Sequence, residues 1–224
     1  MFDRLELLIG KVNLDKIKSK HIVVLGLGGV GGYVVEALIR SGIENITIID
    51  NDTVDITNIN RQIISTTDNI GKLKTDEFEK RIKSINKNVR INKIYNFIDI
   101  SNIDDLFKNE IDYFIDACDT INTKKLIIQR CIDNKIKLIT CLGTGKRMDP
   151  SKLTICDIRK TKNDPIARIL RKYVKDNNIK ERVLCCYSEE EPVKINSNII
   201  ASSIFVPSSA GILIASYVIR DIIK

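Results

Sequence analysis

Residues 21–42, HIVVLGLGGVGGYVVEALIRSG, carry the clearest structural signal in this chain. A short apolar run precedes glycines in the spacing G-x-G-x-x-G, at Gly26, Gly28 and Gly31, and a helical pattern follows them. Glycine lets the backbone turn sharply at the start of a helix, where free N–H groups and the helix dipole bind anions. The stretch therefore predicts a strand, a turn and a helix that bind the phosphate groups of a nucleotide.

Strand-like and helix-like segments alternate beyond this stretch. Four strands and two amphipathic helices are predicted at residues 45–50, 71–86, 89–97, 112–119, 122–134 and 136–143. Continuous apolar strands separated by helices indicate βαβ units. We therefore expect an α/β, Rossmann-like doubly wound fold, with a mostly parallel sheet and helices on both faces. After Pro150 two further strands and two helices are expected to extend it as a mixed C-terminal portion.

Length and composition are those of one globular domain. Apolar residues make up 43% and charged residues 29% of the 224 residues, and no linker rich in glycine, serine or proline divides them. We expect a single domain over residues 1–224. Within it, residues 1–150 would bind the nucleotide, and residues 151–224 would supply substrate-side strands and a C-terminal helix.

Charge and cysteine usage limit the location and the partners. A formal charge of +7 suits a polyanionic partner such as RNA, although a biased genome composition would also enrich lysine. The six cysteines contain no C-x-x-C pair, which is typical of reduced thiols in the cytosol.

The charged N-terminus predicts an amphipathic helix rather than a secretory signal. Pro207 and the Arg220-Asp221 pair interrupt the apolar C-terminal run, which favours a buried helix over a membrane span. We therefore expect a cytoplasmic protein.

An acidic residue follows the glycine turn at the spacing that nucleotide sites use. Asp50 closes the second predicted strand, where a carboxylate can accept hydrogen bonds from ribose hydroxyls. Glycines and aspartate together predict a nucleotide, and an NAD-dependent oxidoreductase is one class that they fit. The next segment of the chain separates the alternatives.

The stretch IIDNDTVDITNINRQ adds polar residues that a dehydrogenase has no chemical need for. It contains Asp52, Asn58, Arg61 and Gln62, and Lys74 follows at the start of a helix. Guanidinium and ammonium groups can offset charge on the β- and γ-phosphates while pyrophosphate leaves. This set favours an enzyme that splits a triphosphate.

Asp119 ends the predicted strand DYFIDACD, at the edge where open α/β sheets place functional groups. A carboxylate there can hold Mg²⁺ that bridges phosphate groups. We therefore predict a nucleoside triphosphate and Mg²⁺ at one site, with Arg61, Lys74 and Asp119 as the catalytic side chains.

These motifs resemble the ThiF/MoeB/HesA superfamily of adenylating enzymes, which is related to the activating enzymes of ubiquitin-like proteins. The resemblance is carried by GLGGVG, IIDNDTVDITNINRQ, IGKLK and DACD, of which NINRQ is the most specific. It implies a ligase-type reaction in which ATP activates a carboxylate as an acyl-adenylate.

The resemblance also assigns roles to residues. It implies that the backbone of Gly29 contacts ATP, that Asp50 binds the ribose, and that Asp119 supports the metal. It implies that Asn58, Arg61 and Lys74 contact the triphosphate. Arg4, in FDRLELLIG, matches an arginine that reaches the partner subunit's ATP, which implies a homodimer with two composite sites.

Members of the superfamily differ in whose carboxylate they activate. Activators of ubiquitin-like sulfur-carrier proteins usually contain two C-x-x-C pairs that bind structural zinc, and this chain has none. We therefore expect no zinc. Adenylation of a carrier protein's C-terminal glycine stays open as an alternative, with a carrier or sulfur-transfer protein as the partner.

The second half resembles the branch that acts on transfer RNA, the threonylcarbamoyladenosine dehydratases. The resemblance is carried by GTGKRMDP at 143–150, DIRKT at 157–161, DPIAR at 164–168 and YSE at 187–189. It implies that ATP activates the carboxylate of the threonylcarbamoyl group on a tRNA adenosine, which then cyclises with loss of water. Because cyclisation is intramolecular, no protein nucleophile is required.

This branch-specific segment is rich in positive charge, and we predict that it contacts RNA phosphates. The residues concerned are Lys146, Arg147, Arg159, Lys160, Lys162, Arg168, Arg171 and Lys172. The cysteines are expected to be buried and structural, with Cys185 and Cys186 facing opposite sides of one strand. His21, the only histidine, is assigned no catalytic role.

Overall fold

The computed structural model describes residues 1–197 and 200–224 and has the predicted α/β architecture. In this part of the chain seven strands form one sheet in the order β3-β2-β1-β4-β5-β7-β6. The strands are β1 (His21–Leu25), β2 (Asn45–Ile49), β3 (Arg90–Ile94), β4 (Tyr113–Asp116), β5 (Lys137–Cys141), β6 (Leu153–Asp157) and β7 (Leu184–Ser188). Neighbouring strands are parallel except β6 and β7. The predicted mostly parallel, doubly wound sheet with a mixed C-terminal extension is confirmed.

Helices cover both faces of the sheet. They are α1 (Asp3–Ile9), α2 (Lys11–Lys18), α3 (Gly31–Arg40), α4 (Lys74–Ile85), α5 (Ile121–Asp133), α6 (Pro165–Asp176) and α7 (Phe205–Ile222). The single N-terminal helix predicted from sequence is two helices, because Gly10 between them has a φ of +82°. The predicted strand 89–97 ends at Ile94, so the backbone that follows is free to leave the sheet.

Three clusters of apolar side chains pack against the two faces of the sheet. One layer packs β1, β2 and β4 against α3, α4 and α7, and the opposite layers lie under α5 and α6. Cys186 belongs to the first layer and Cys185 to the layer under α6. The two adjacent cysteines therefore face opposite sides of β7, as predicted.

The C-terminal helix α7 is long and apolar enough to cross a membrane by length and composition, but half of it is buried inside the protein. It packs closely against α3 at Gly211, where a Cβ atom would lie 2.5 Å from the carbonyl oxygen of Val30. The buried C-terminal helix predicted from the sequence is therefore confirmed as a core element.

Candidate nucleotide-binding and adenylation site

A cavity of about 830 Å³ opens at the carboxyl ends of β1, β2, β4 and β5. This is the edge where doubly wound sheets bind ligands, and the volume suits a nucleotide with room for a second reactant. Ten of the residues predicted from sequence line it: Gly26, Gly28, Gly29, Asp50, Asp52, Asn58, Arg61, Gln62, Lys74 and Asp119. Of the predicted set, Gly31 and Arg4 do not line the cavity.

The glycines of the turn serve two different purposes. A Cβ atom at Gly31 would lie 1.7 Å from the carbonyl oxygen of Gly26, and one at Gly26 would lie 2.8 Å from the backbone of Ala117. Those two glycines are required by the packing of the turn itself. Gly28 and Gly29 line the cavity, and their backbone is the part of the turn that a phosphate group can approach.

Asp50 connects the end of β2 to the glycine turn. Its carboxylate accepts hydrogen bonds from the backbone N–H groups of Leu27, at 2.6 Å, and Asp52, at 2.8 Å. Burial raises the pKa of Asp50, while Lys74 and these two N–H groups oppose the shift. Each carboxylate oxygen retains a free lone pair, so Asp50 can hold the turn and also accept from a ribose hydroxyl.

The segment after β2 presents its polar side chains through a short 3₁₀ turn. The side chain of Asn58 accepts from the N–H of Asp55 and so shapes the turn. The guanidinium group of Arg61 donates to the carbonyl oxygen of Thr57 at 2.6 Å. Within the described residues, the buried Oε1 atom of Gln62 has no hydrogen-bond partner. An unpaired acceptor on the wall of a cavity fits a polar ligand, because leaving it unpaired is unfavourable.

Lys74 and Asp52 face each other across the cavity rim. The Lys74 ammonium lies 2.8 Å from the Asp52 carboxylate, and only 4% of the lysine side chain is exposed. Lys74 begins α4, so the helix fixes its base while the side chain reaches the cavity. A buried cation beside a nucleotide cavity is suited to bind phosphate.

Asp119 lies on the loop between β4 and α5 and is exposed at the cavity. Among the residues that the structure describes, no three acidic, histidine or cysteine side chains form a group that could hold a metal ion by themselves. Mg²⁺ commonly takes one or two carboxylates and completes its shell with water and phosphate oxygens. A single carboxylate beside the cavity fits that mode of binding.

A buried charge network beneath Asp119 was missed by the sequence reasoning. The Lys124 ammonium donates to the carboxylate of Asp116 at 3.0 Å, the hydroxyl of Thr140 at 3.2 Å and the carbonyl oxygen of Cys141 at 2.7 Å. Burial alone would lower the pKa of Lys124, but the Asp116 carboxylate raises it above its ordinary value. A signal existed, since a lysine within the buried stripe of α5 and an aspartate ending an apolar strand indicate a buried ion pair.

The wall opposite the glycine turn is built around Arg147. Its guanidinium group donates to the backbone oxygens of Gly143 and Glu190 and pairs with Asp164. Both partners of this ion pair are buried. The expectation that Arg147 lies on an RNA-contacting surface is therefore wrong, because its side chain is enclosed by its own protein. Lys146, the preceding residue, lines the cavity.

The other predicted RNA-contacting residues differ in whether their side chains are held by contacts within the protein. Arg159 donates to Asp157 and to the carbonyl oxygen of Ile179, and Arg171 donates to Thr161. The remaining exposed cations of the set are Lys160, Lys162, Arg168 and Lys172.

The thiols and the histidine have structural surroundings. All six cysteines are free, and burial raises the pKa values of Cys118 and Cys185 well above the ordinary range. A thiol with a raised pKa is a poor nucleophile. The His21 ring contacts the backbone oxygen of Glu110 and the hydroxyl of Thr47, away from the cavity.

A nucleotide-binding α/β protein is defined by the doubly wound sheet and by the glycine turn at the mouth of the cavity. The buried carboxylate of Asp50 and the two cations beyond it make the site suited to a triphosphate. The ThiF family profile matches residues 2–151. The chain belongs to the ThiF family.

Relatives of known identity cover nearly the whole chain. The tRNA threonylcarbamoyladenosine dehydratase of Bacillus subtilis is 35% identical over 240 residues, with 100% of this chain and 94% of the relative covered. The enzyme of the same name from Escherichia coli is 38% identical over 190 residues, with 82% and 71% covered. The crystal structure of that E. coli protein in complex with ATP superposes with a TM-score of 0.93 at 34% identity, covering 99% of this chain and 93% of that one.

Proposed function

We propose that this protein is an ATP-dependent adenylating enzyme that converts threonylcarbamoyladenosine in tRNA into its cyclic, dehydrated form. The observation that carries the proposal is the cavity that brings Asp50, Arg61 and Lys74 to the glycine turn. It occurs in a chain similar over its whole length to dehydratases of that name, one of which is described in complex with ATP.

The chemistry follows from the charges around the cavity. The substrate carboxylate attacks the α-phosphorus of ATP, and pyrophosphate leaves with the bonding electrons. Arg61 and Lys74 offset the negative charge that develops on the departing phosphates. Asp119 would hold Mg²⁺, which supplies further positive charge to the phosphates when bound. The carbamoyl group then attacks the activated acyl carbon and AMP leaves, so one carboxylate oxygen departs with AMP.

The second step needs no covalent intermediate with the protein. The two reacting groups belong to one substituent, and intramolecular attack benefits from a high effective molarity. Cys118, the thiol beside Asp119, is kept protonated by a pKa well above the ordinary range. These surroundings are consistent with a cyclisation step that uses no thiol nucleophile.

The distribution of charge supports tRNA as the partner. Residues 143–182 contain twelve lysines and arginines against five aspartates and glutamates, so this segment has the same net charge of +7 as the whole chain. The segment includes the cavity wall at Lys146 and the exposed face of α6. Lys160, Lys162, Arg168 and Lys172 are the exposed cations that we assign to phosphate contacts, and we place the enzyme in the cytoplasm with its substrate.

A second copy of the chain completes the proposed enzyme. Helix α1 has no buried residue, and Leu7, Leu8 and Val12 are at least 80% exposed. Exposed apolar side chains on adjacent helices are typical of an interface. Arg4 lies on α1, and we propose that it reaches the ATP of the partner subunit in a homodimer.

The proposal is tested with purified protein, ATP and tRNA that contains threonylcarbamoyladenosine. Mass spectrometry of the digested nucleosides should show a species lighter by one water, formed only with ATP. Absence of this species, together with pyrophosphate exchange driven by a sulfur-carrier protein, would assign the enzyme to the alternative substrate. Calorimetry that finds NAD bound more tightly than ATP would contradict the adenylating site itself.

A further inference from the structure

Lys124 is a buried lysine whose ammonium group is fully used inside the protein. Its side chain is 1% exposed, and its three N–H donors go to Asp116, Thr140 and the carbonyl oxygen of Cys141. The Thr140 hydroxyl donates in turn to Asp116 at 2.6 Å. Lys124 lines the cavity, but all three of its donors are used by the protein, so we assign it a role through these partners rather than through contact with a substrate.

The groups that Lys124 contacts stand at the ends of two neighbouring strands. Asp116 is the last residue of β4, and the loop after it contains Asp119. Cys141 is the last residue of β5, and the chain after it forms the opposite wall from Gly143 onward. The ammonium group therefore ties together the starting points of two cavity walls.

Stability alone is a poor explanation for this network. Removing two charges from water costs about as much as their attraction returns, and apolar replacements of buried ion pairs are often neutral or stabilising. Three contacts made by one ammonium group specify the relative position of two loops more narrowly than apolar packing does.

We propose that Lys124 is a positioning residue, which through Asp116 and Thr140 sets the loop that carries Asp119 against the wall that begins at Gly143. The inference rests on the proposed function only in assigning Mg²⁺ to Asp119. Loss of the network should therefore weaken the response of ATP binding to Mg²⁺ more than ATP binding itself.

The experiment measures ATP affinity by calorimetry at increasing Mg²⁺ concentration. We expect Lys124→Met to raise the Mg²⁺ concentration for half-maximal affinity by about tenfold or more, as loss of groups behind a metal ligand does. Thr140→Val, which keeps the ion pair, should fold normally. It should raise the same half-maximal Mg²⁺ concentration by a few fold. The control is Thr47→Val, a buried threonine of β2 that contacts His21 outside the cavity and should leave the dependence unchanged.

A variant that replaces the whole network separates positioning from stability. Asp116→Leu, Lys124→Met and Thr140→Val together should recover a melting temperature near that of the wild type, while the Mg²⁺ dependence stays shifted. Recovery of both the melting temperature and the Mg²⁺ dependence would contradict the proposal. An unchanged Mg²⁺ dependence in Thr140→Val, as in the control Thr47→Val, would also contradict it. Because the readout needs no tRNA, a wild type that binds Mg-ATP but forms no cyclic nucleoside would contradict the proposed function alone.

Discussion

Arg61 is the side chain that the proposed mechanism uses for triphosphate cleavage, beyond simple nucleotide binding. It lines the cavity, and its internal hydrogen bonds go to Thr57 and Asn60 within its own turn. We expect Arg61→Ala to lower pyrophosphate release by about 10²–10³-fold, because a donor to a developing charge is lost. The melting temperature should stay close to that of the wild type.

The matched control for this substitution is Arg220→Ala. Arg220 lies at the end of α7 and, among the residues that the structure describes, donates only to the carbonyl oxygen of Ser216. Its loss should leave pyrophosphate release unchanged. Equal pyrophosphate release by the Arg61 variant and the wild type would contradict the role given to Arg61. RNA binding with no pyrophosphate release by the wild type would instead favour a protein that binds RNA without catalysis.

The buried Asp50 predicts a pH dependence of ATP binding. Burial raises the pKa of this carboxyl above its ordinary value of 3.8, so it takes up a proton at a higher pH than an exposed aspartate does. The neutral carboxyl is a weaker acceptor for a ribose hydroxyl. Wild-type ATP affinity should therefore fall as the pH falls toward this raised pKa. The Asp50→Asn variant should bind ATP about tenfold more weakly near neutral pH, and its affinity should lack the part of the pH dependence that comes from Asp50.

Calorimetry of both proteins over the same pH range isolates the effect, since protonation of ATP itself cancels in the ratio of the two affinities. The raised pKa of Asp50 also determines the direction in which its contribution to folding stability changes with pH. Because the folded protein binds the proton more tightly than the unfolded chain, the contribution of Asp50 to stability increases as the pH falls through the raised pKa. A constant ratio of affinities would contradict the role given to Asp50.

Residues beside the glycine turn were predictable from the sequence, and residues that act across the sheet were not. Asp50, Arg61 and Lys74 follow the turn at short, recognisable spacings. The sequence indicates that Lys124 and Asp116 are buried charged residues, but their contact depends on α5 folding back over β4, which single-sequence periodicity does not specify. The sequence predicts Arg147 as a surface cation because it does not show the carbonyl groups that enclose this side chain.

At the scale of the element, replacing a glycine of the turn by alanine should affect stability differently at two positions. Gly31→Ala places a methyl group 1.7 Å from the carbonyl oxygen of Gly26 and should destabilise the protein by about 4 kcal/mol or more. Gly28→Ala meets only the side chain of Gln62, at 3.7 Å, and should fold with a change within about 1 kcal/mol.

The ATP affinity of the Gly28→Ala variant tests whether this glycine contributes to phosphate binding. A methyl group at Gly28 fills space beside the backbone N–H groups that a phosphate would approach, so we expect weaker ATP binding from a stable protein. Thermal unfolding and calorimetry measure the two effects. Similar stability of the two alanine variants would contradict the division of the turn into packing and binding glycines.

Elements with strong periodicity were predicted well, and element ends were predicted less well. The strands β1, β4 and β5 are largely buried and lie within or close to the predicted segments, although β4 covers only Tyr113–Asp116 of the predicted 112–119. The sequence predicts a single N-terminal helix because the amphipathic pattern continues through Gly10. Only the positive φ of that glycine divides it.

At the scale of the whole molecule, the proposed composite site predicts complementation between two inactive proteins. If Arg4 acts in the partner's site, Arg4→Ala and Arg61→Ala homodimers are both impaired. Mixed dimers then contain one site with both arginines intact. Equal mixing with subunit exchange should restore about a quarter of wild-type sites, since half of the dimers are mixed.

Light scattering should show a dimer for both variants, which serves as the control for assembly. If no activity returns after exchange, Arg4 acts within its own chain or not at all. This level of organisation lay beyond the sequence pattern itself, because periodicity does not reveal what covers the exposed leucines of α1.

The central claim is that ATP activates a carboxylate of the tRNA-bound substrate as an acyl-adenylate. The most direct test uses tRNA whose threonylcarbamoyl carboxylate is labelled with heavy oxygen, followed by mass spectrometry of the AMP released during cyclisation. The proposed chemistry predicts one labelled oxygen in each AMP and the other retained in the cyclic nucleoside. Unlabelled AMP, or cyclisation without AMP release, would contradict it.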